Sequence, residues 1–277
     1  MKGYFVPRSL EKSIFNSLKK LFWGMINDIR NGFVKKDQVQ EAARKFINSE
    51  EVDAYLNNLM ARMTNRIRID SAKEMKRSTA GTNSALLFNL LKHEMDGPIG
   101  RRVYEIVAEN AAYIKTVPQE WATFVTLYTQ RESLKGKRPE MIEAELRKIL
   151  PEHATKNLKT IARTECAKAN AAITEARAEA LGCKCYFWRS VKDERTRTAH
   201  AMMDGILVFY DDPPSPEELF GGRAYGNYHA GNTFNCRCYQ NVVVDQRFLP
   251  DTFKYYRAGA VHATTKAKFL KKFGKIA

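Results

Sequence analysis

Residues 10–29 place Leu10, Ile14, Phe15, Leu18, Leu21, Phe22, Met25, Ile26 and Ile29 on one side of a 3.6-residue rhythm. Ser9 sits where a cap belongs, and Lys12, Lys19 and Lys20 fall on the other side. The same rhythm predicts helix over Gln38–Met63, Asn83–Glu94 and Arg102–Ile114, with Met95–Gly100 as punctuation, and a short helix over Glu120–Thr129. Pro139 suits the first turn of a helix over Glu140–Leu150, and Pro151 is read as its end. From Thr155 to Ala180 the stripe of Leu158, Ile161, Ala162, Ala169, Ile173, Ala176 and Ala180 predicts a helix that stops at Gly182.

Beyond Gly182 the period changes. Cys185–Trp188, Ile206–Tyr210 and Asn241–Val244 are short, apolar and rich in aromatic or β-branched residues, so all three read as strands. The segment Asp211–Thr233 between the last two is rich in Asp, Pro and Gly, and a connection of that length is usually functional or wrapped around something. The fold class is therefore α+β: a mainly helical N-terminal region, then a small α+β domain with a short sheet. In chain order this divides into a helical arm (1–110), the motif-bearing domain (111–248) and a basic tail (249–277).

Composition narrows the class. The chain has 277 residues, 44% hydrophobic and 28% charged, with a formal net charge of +15. This is globular composition and excludes collagen-like or wholly disordered chains. No apolar run reaches the roughly 20 residues of a membrane span, and the start lacks the apolar core of a signal peptide, so a protein that stays in the cytoplasm where it is made is expected. The positive balance favours weak, salt-sensitive attraction to a polyanion, although solubility and partner steering use the same charge. After Asp251 every charged side chain is basic: Lys254, Arg257, Lys266, Lys268, Lys271, Lys272 and Lys275. That tail reads either as a nucleic-acid contact, carried by Lys266, Lys268, Lys271, Lys272 and Lys275, or as a basic helix against a neighbour.

Three clusters could carry chemistry. Arg163-Thr164-Glu165, with Asn170, lies beside the apolar stripe of the Thr155 helix and reads either as a tie between that helix and the domain after it or as solvated helix charges. Asp193-Glu194-Arg195-Thr196-Arg197, His200 and Asp204-Gly205 read as an ion-pair knot leading into a turn, with His200 a hydrogen-bonded core histidine, a general base or a metal ligand. Asn235-Cys236-Arg237-Cys238 presents two thiols at i and i+2, which point the same way on an extended chain. Cys183-x-Cys185 repeats the spacing. Four thiolates would satisfy tetrahedral zinc, with His200 or His229 as a substitute for one of them. Buried reduced thiols are the alternative.

The ordered set Arg163-Thr164-Glu165, Asn170, Gly182, Trp188, Asp193 to Arg197, His200, Asp204-Gly205 and Asn235-Cys236-Arg237-Cys238 resembles the phage Mu F-like head morphogenesis family, over about residues 110–245. Many relatives carry His-Pro before the Asn-Cys-Arg-Cys motif, where this chain has Thr233-Phe234. The resemblance implies a minor head protein of a tailed bacteriophage, not an enzyme, assembled in the host cytoplasm and retained in the virion interior. Its implied partners are the portal protein, scaffold or major capsid protein, and packaged double-stranded DNA bound non-specifically. Two other classes stand beside it. One is a metal-dependent nuclease or toxin-like hydrolase using His200, Asn227, His229 and the cysteines; the other is a membrane-active DNA-ejection protein using helix 10–29.

Overall fold

The computed structural model describes residues 3–30, 36–79 and 84–276. The helices are α1 (Arg8–Leu21), α2 (Trp23–Arg30), α3 (Lys36–Ile47), α4 (Glu50–Ser78), α5 (Ser84–His93), α6 (Pro98–Lys115), α7 (Val117–Leu134) and α8 (Pro139–Ala180). The strands β1 (Cys185–Arg189), β2 (Ile206–Phe209), β3 (Tyr239–Val242), β4 (Thr252–Arg257) and β5 (Ala260–Thr265) follow. Among them lie the short helices α9 (Thr198–Met202) and α10 (Pro216–Leu219) and the C-terminal α11 (Lys266–Phe273). The class is α+β, with helices first and a five-stranded mixed sheet after them.

Several boundaries differ from the periodicity. The 10–29 rhythm is two helices, and Gln38–Met63 is divided between α3 and α4, with Ser49 accepting from the Val52 amide at the start of α4. Asn83 lies outside the described residues. Pro151 does not end a helix: it sits inside α8, whose buried positions Leu146, Leu150, Ala154 and Leu158 keep their phase straight through it. Burial of that stripe offsets the roughly 3 kcal/mol an interior proline costs. Residues read as a basic tail form β4, β5 and α11, so the sheet has two strands more than the apolar pattern shows. Those strands alternate polar and half-buried positions, and only Tyr255 and Tyr256 of β4 are fully buried.

Two compact units are present, one of Met1–Pro7, Thr64–Ile106 and Arg163–Ala277, the other of Arg8–Met63 and Val107–Ala162. They interleave along the chain, unlike a division in chain order at residues 110 and 248. In the second unit Ile14, Leu18, Phe22 and Ile26 are buried with Trp121, Val125, Ile142 and Leu146. The Phe22 ring lies 4.8 Å from Phe46 and 5.2 Å from Trp121.

In the first unit the strand order is β3-β1-β2-β4-β5, antiparallel except for β2 against β4. Register pairs Tyr186 with Val208 and Trp188 with Gln240. Period two then sorts the side chains. Tyr186, Trp188, Ile206 and Val208 enter one apolar cluster with Met203, Tyr228, Cys236 and Cys238. Cys185, Phe187, Leu207 and Phe209 enter another, closed by Leu249 and Phe269. Gly182 ends α8 at φ +70°, and the Cys183 amide returns to the Ala178 carbonyl at 2.8 Å.

This unit also holds a buried ion pair that no local pattern announces. Arg177 of α8, 1% exposed, clasps Glu94 through Nε (2.8 Å) and Nη2 (3.1 Å), and donates to Ser71 Oγ (2.7 Å) and the Arg68 carbonyl (2.9 Å). Every polar group in the pair is engaged, which is what a buried charge requires.

Candidate functional site

The loop Asn235–Cys238 is placed by its neighbours before it is placed by its sulfurs. Asn235 has φ +55°, a left-handed position that asparagine tolerates better than most residues. Its amide donates to Thr164 Oγ1 (2.9 Å), and Arg163 donates to its Oδ1 (2.7 Å). Arg197 donates to the Phe234 carbonyl (2.9 Å). Arg237, nearly buried, grips Asp193 with both Nη atoms, the Nη2 contact being 2.6 Å. Asp193 also accepts from the Arg195 amide (3.2 Å) and Thr196 Oγ1 (3.1 Å), so the 193–197 turn and the cysteine loop are one hydrogen-bonded piece. The Arg237 guanidinium holds the Asp193 carboxyl well below its usual range.

Asp204 accepts from the Ser190 amide (2.9 Å) and pairs with Lys192 (2.9 Å). These contacts lower its carboxyl against the upward push of burial. Gly205 then turns at φ +81°, its amide on the Trp188 carbonyl at 2.9 Å.

The braced loop carries two thiols to one histidine. His200, 2% exposed on α9, has Nδ1 at 3.5 Å from both Cys236 Sγ and Cys238 Sγ. Its Nε2 lies 2.9 Å from Tyr228 Oη and 3.2 Å from Glu217 Oε1. The protonation pattern follows from counting donors. The single phenolic proton of Tyr228 is given to Glu217 Oε2, so its oxygen can only accept from His200. Nε2 therefore carries a hydrogen, and Nδ1 faces the two sulfurs. Trp188 packs edge-on against the imidazole, with ring centroids 5.5 Å apart.

Electrostatics divides the two thiols. Cys236 is held well below the ordinary thiol value, first by the hydrogen bond from Cys238 and then, against burial, by His200. Cys238 is pushed up by the same bond and by burial. The Cys238 amide also donates to Cys236 Sγ at 3.3 Å. His200, Cys236 and Cys238 are all buried, with ligand atoms within 4.8 Å of one another, and form the metal-competent group among the described residues.

Other residues singled out by sequence lie elsewhere. Cys183 packs with Ala178 and Val242, and Cys185 lies on the Phe187 face of the sheet, so the two Cys-x-Cys pairs do not converge. Burial raises the Cys183 thiol to about 11 and raises Cys185 further. His229 uses Nδ1 on Tyr186 Oη (3.1 Å), and Asn227 donates to the Pro213 carbonyl (2.9 Å); neither joins His200. Burial holds the His229 imidazole below its usual value. Asn170 reaches the Tyr4 carbonyl (3.0 Å), not the sheet, and Glu165 is buried with Lys168 3.8 Å away.

In the C-terminal segment Lys266 donates to the Arg247 carbonyl and Lys272 lies over the Tyr255 ring, while Lys268, Lys271 and Lys275 are exposed. Sequence reading missed Glu217 and Tyr228. Their one signal was the length of the Asp211–Thr233 connection, because their partner His200 is 17 and 28 residues away.

A small mixed sheet anchored on one long helix, with its loops tied by arginine contacts, defines a helix-anchored α+β domain. Residues 128–241 match the model of the family described as Phage Mu protein F like protein, so this stretch of the chain is similar to that family. That family is one of phage head morphogenesis. An uncharacterized protein of Haemophilus influenzae is 28% identical over 208 residues, which is 75% of this chain and 43% of that protein. The chain thus spans less than half the length of this relative. No solved structure matches the chain. Among the described residues no helix is long and apolar enough to cross a membrane.

Proposed function

We propose that this chain is a minor head protein of a tailed bacteriophage, acting in procapsid assembly near the portal and remaining in the virion interior. The supporting observation is how the signature residues within the matched domain are engaged. Arg163, Asp193, Arg197 and Arg237 bind Asn235, one another and the Phe234 carbonyl, and so stiffen two loops. Side chains arranged to hold loops suit a rigid docking knob better than turnover of a substrate, which needs reactive groups facing a cleft. The partners such a knob would meet are the portal protein, scaffold or major capsid protein, joined in the host cytoplasm during assembly.

Contact with packaged DNA is part of the same proposal. The +15 balance and the exposed Lys268, Lys271 and Lys275 favour phosphate contacts without sequence reading. Quantitative mass spectrometry of purified procapsids and virions tests the role: a few copies per particle in both are expected, and absence from both overturns it. A gel-shift series tests the DNA contact. Binding at low ionic strength that falls steeply with salt is expected, and no binding at low ionic strength removes that component.

A further inference from the structure

We infer that His200 Nδ1, Cys236 Sγ and Cys238 Sγ form a zinc site, oriented from behind by Glu217 and Tyr228. The inference goes beyond the head-assembly reading and does not depend on it.

The first argument is metrical. Zinc binds thiolate sulfur at about 2.3 Å and imidazole nitrogen at about 2.0 Å, so a tetrahedral angle puts sulfur and nitrogen roughly 3.5 Å apart. Both Nδ1–Sγ separations are 3.5 Å.

The second argument concerns the proton on the far side of the ring. A zinc-bound histidine donates its other N–H to a carboxylate or similar acceptor, which fixes the tautomer and raises the basicity of the ligating nitrogen. Glu217 Oε1 and Tyr228 Oη occupy that position, and Arg197 Nη1 lies 3.5 Å from Glu217 Oε1. A histidine serving only as core packing has no need of a carboxylate behind it and two sulfurs in front.

Charge closes as well. Two thiolates, a neutral imidazole and one divalent cation sum to zero, which is the condition for burying ions at low cost. Two soft sulfurs and one nitrogen favour zinc over magnesium or calcium, which take oxygen. The three ligand residues line one small cavity with Val191, Arg195 and Thr196, roomy enough for about one water molecule. The preceding residues explain why the spacing is i and i+2: Asn235, held by Arg163 and Thr164, fixes the chain so that both thiols face His200.

The test uses the full chain, purified without chelator from zinc-supplemented cells. Elemental analysis is expected to give close to one zinc per chain. Cobalt added to chelator-stripped protein is expected to give the intense thiolate charge-transfer and visible bands of a tetrahedral sulfur site. Cys183→Ala and Cys185→Ala should keep the zinc, whereas Cys236→Ser and Cys238→Ser should lose it. Glu217→Gln should weaken zinc affinity about 10- to 100-fold while leaving the site's cobalt spectrum recognisable.

A variant that fails to fold does not remove the test, because zinc content and cobalt spectrum are read on the unaltered chain. Less than about a tenth of an equivalent of zinc, together with no cobalt charge-transfer band, overturns the inference. So does an intact mass showing a Cys236–Cys238 disulfide under reducing conditions, or loss of zinc in Cys185→Ala with retention in Cys236→Ser.

Discussion

Cys183-x-Cys185 and Cys236-x-Cys238 share a spacing, burial and a place at the start of a strand of one sheet, yet they have opposite surroundings. The first pair enters β1, where period two sends Cys185 to the side of Phe187, Leu207 and Phe209, and Cys183 packs on Ala178. No histidine is brought to either, and burial is the main cause of their high thiol values. The second pair precedes β3 in a loop turned at Asn235, and both sulfurs face one histidine that is itself backed by a carboxylate. Spacing tells which side chains can point together. Only the tertiary partner decides whether they become packing or chemistry.

The sharpest way to break the contrast is to cut one aromatic from each face of β1. Trp188→Ala removes a fully buried indole and is expected to cost about 3–5 kcal/mol of unfolding free energy. Phe187→Ala, on the other face, should fall in the same range. The two should then separate on a second measurement: Trp188→Ala loosens the wall of His200 and lowers retained zinc, whereas Phe187→Ala leaves zinc content unchanged. Urea titration with parallel elemental analysis reads both. Equal zinc in the two variants would mean the faces are not independent.

Alkaline pH probes the packing pair. Cys183 is raised from 9.0 to about 11 by burial. The folded chain keeps that proton where the unfolded chain loses it, so this contribution is complete below pH 9 and is lost as pH rises toward 11. The full shift corresponds to about 2–3 kcal/mol at most. Cys183→Ala should flatten that part of the stability profile, measured by urea midpoints between pH 8 and 11. An unchanged slope would assign the alkaline loss to the buried tyrosines, whose values are raised in the same direction.

These contrasts mark where the sequence was legible. Helix α8 and its stop at Gly182, the strands β1, β2 and β3, and the convergence of Cys236 with Cys238 could all be read from period and spacing. So could the resemblance to the Mu F-like family, carried by an ordered set of polar residues. Pro151 misled because a local breaker was outweighed by a stripe of buried leucines on both sides of it. β4 and β5 were hidden because a half-exposed edge hairpin needs few apolar residues, and its basic side chains looked like a tail. Arg177 with Glu94, and His200 with Glu217 and Tyr228, were out of reach for a different reason. Each pairing is a long-range choice of partner, and no local rhythm encodes it.

The mildest test asks how much the bracing of the cysteine loop depends on the helix. Arg163 Nη1 donates to Asn235 Oδ1 at 2.7 Å in an exposed setting, so Arg163→Ala should cost only about 0.5–1.5 kcal/mol. The loop keeps the Thr164 contact at the Asn235 amide and the Asp193–Arg237 clasp, and the three together hold a left-handed residue in place. Its effect should therefore show in local opening before global unfolding. Hydrogen exchange at the Cys236 and Cys238 amides is expected to accelerate in Arg163→Ala, with no change at the Cys185 amide on the neighbouring strand. Acceleration of both sets alike would mean that the loop and β1 open as one unit, and that the contrast between the two pairs is one of chemistry but not of local stability.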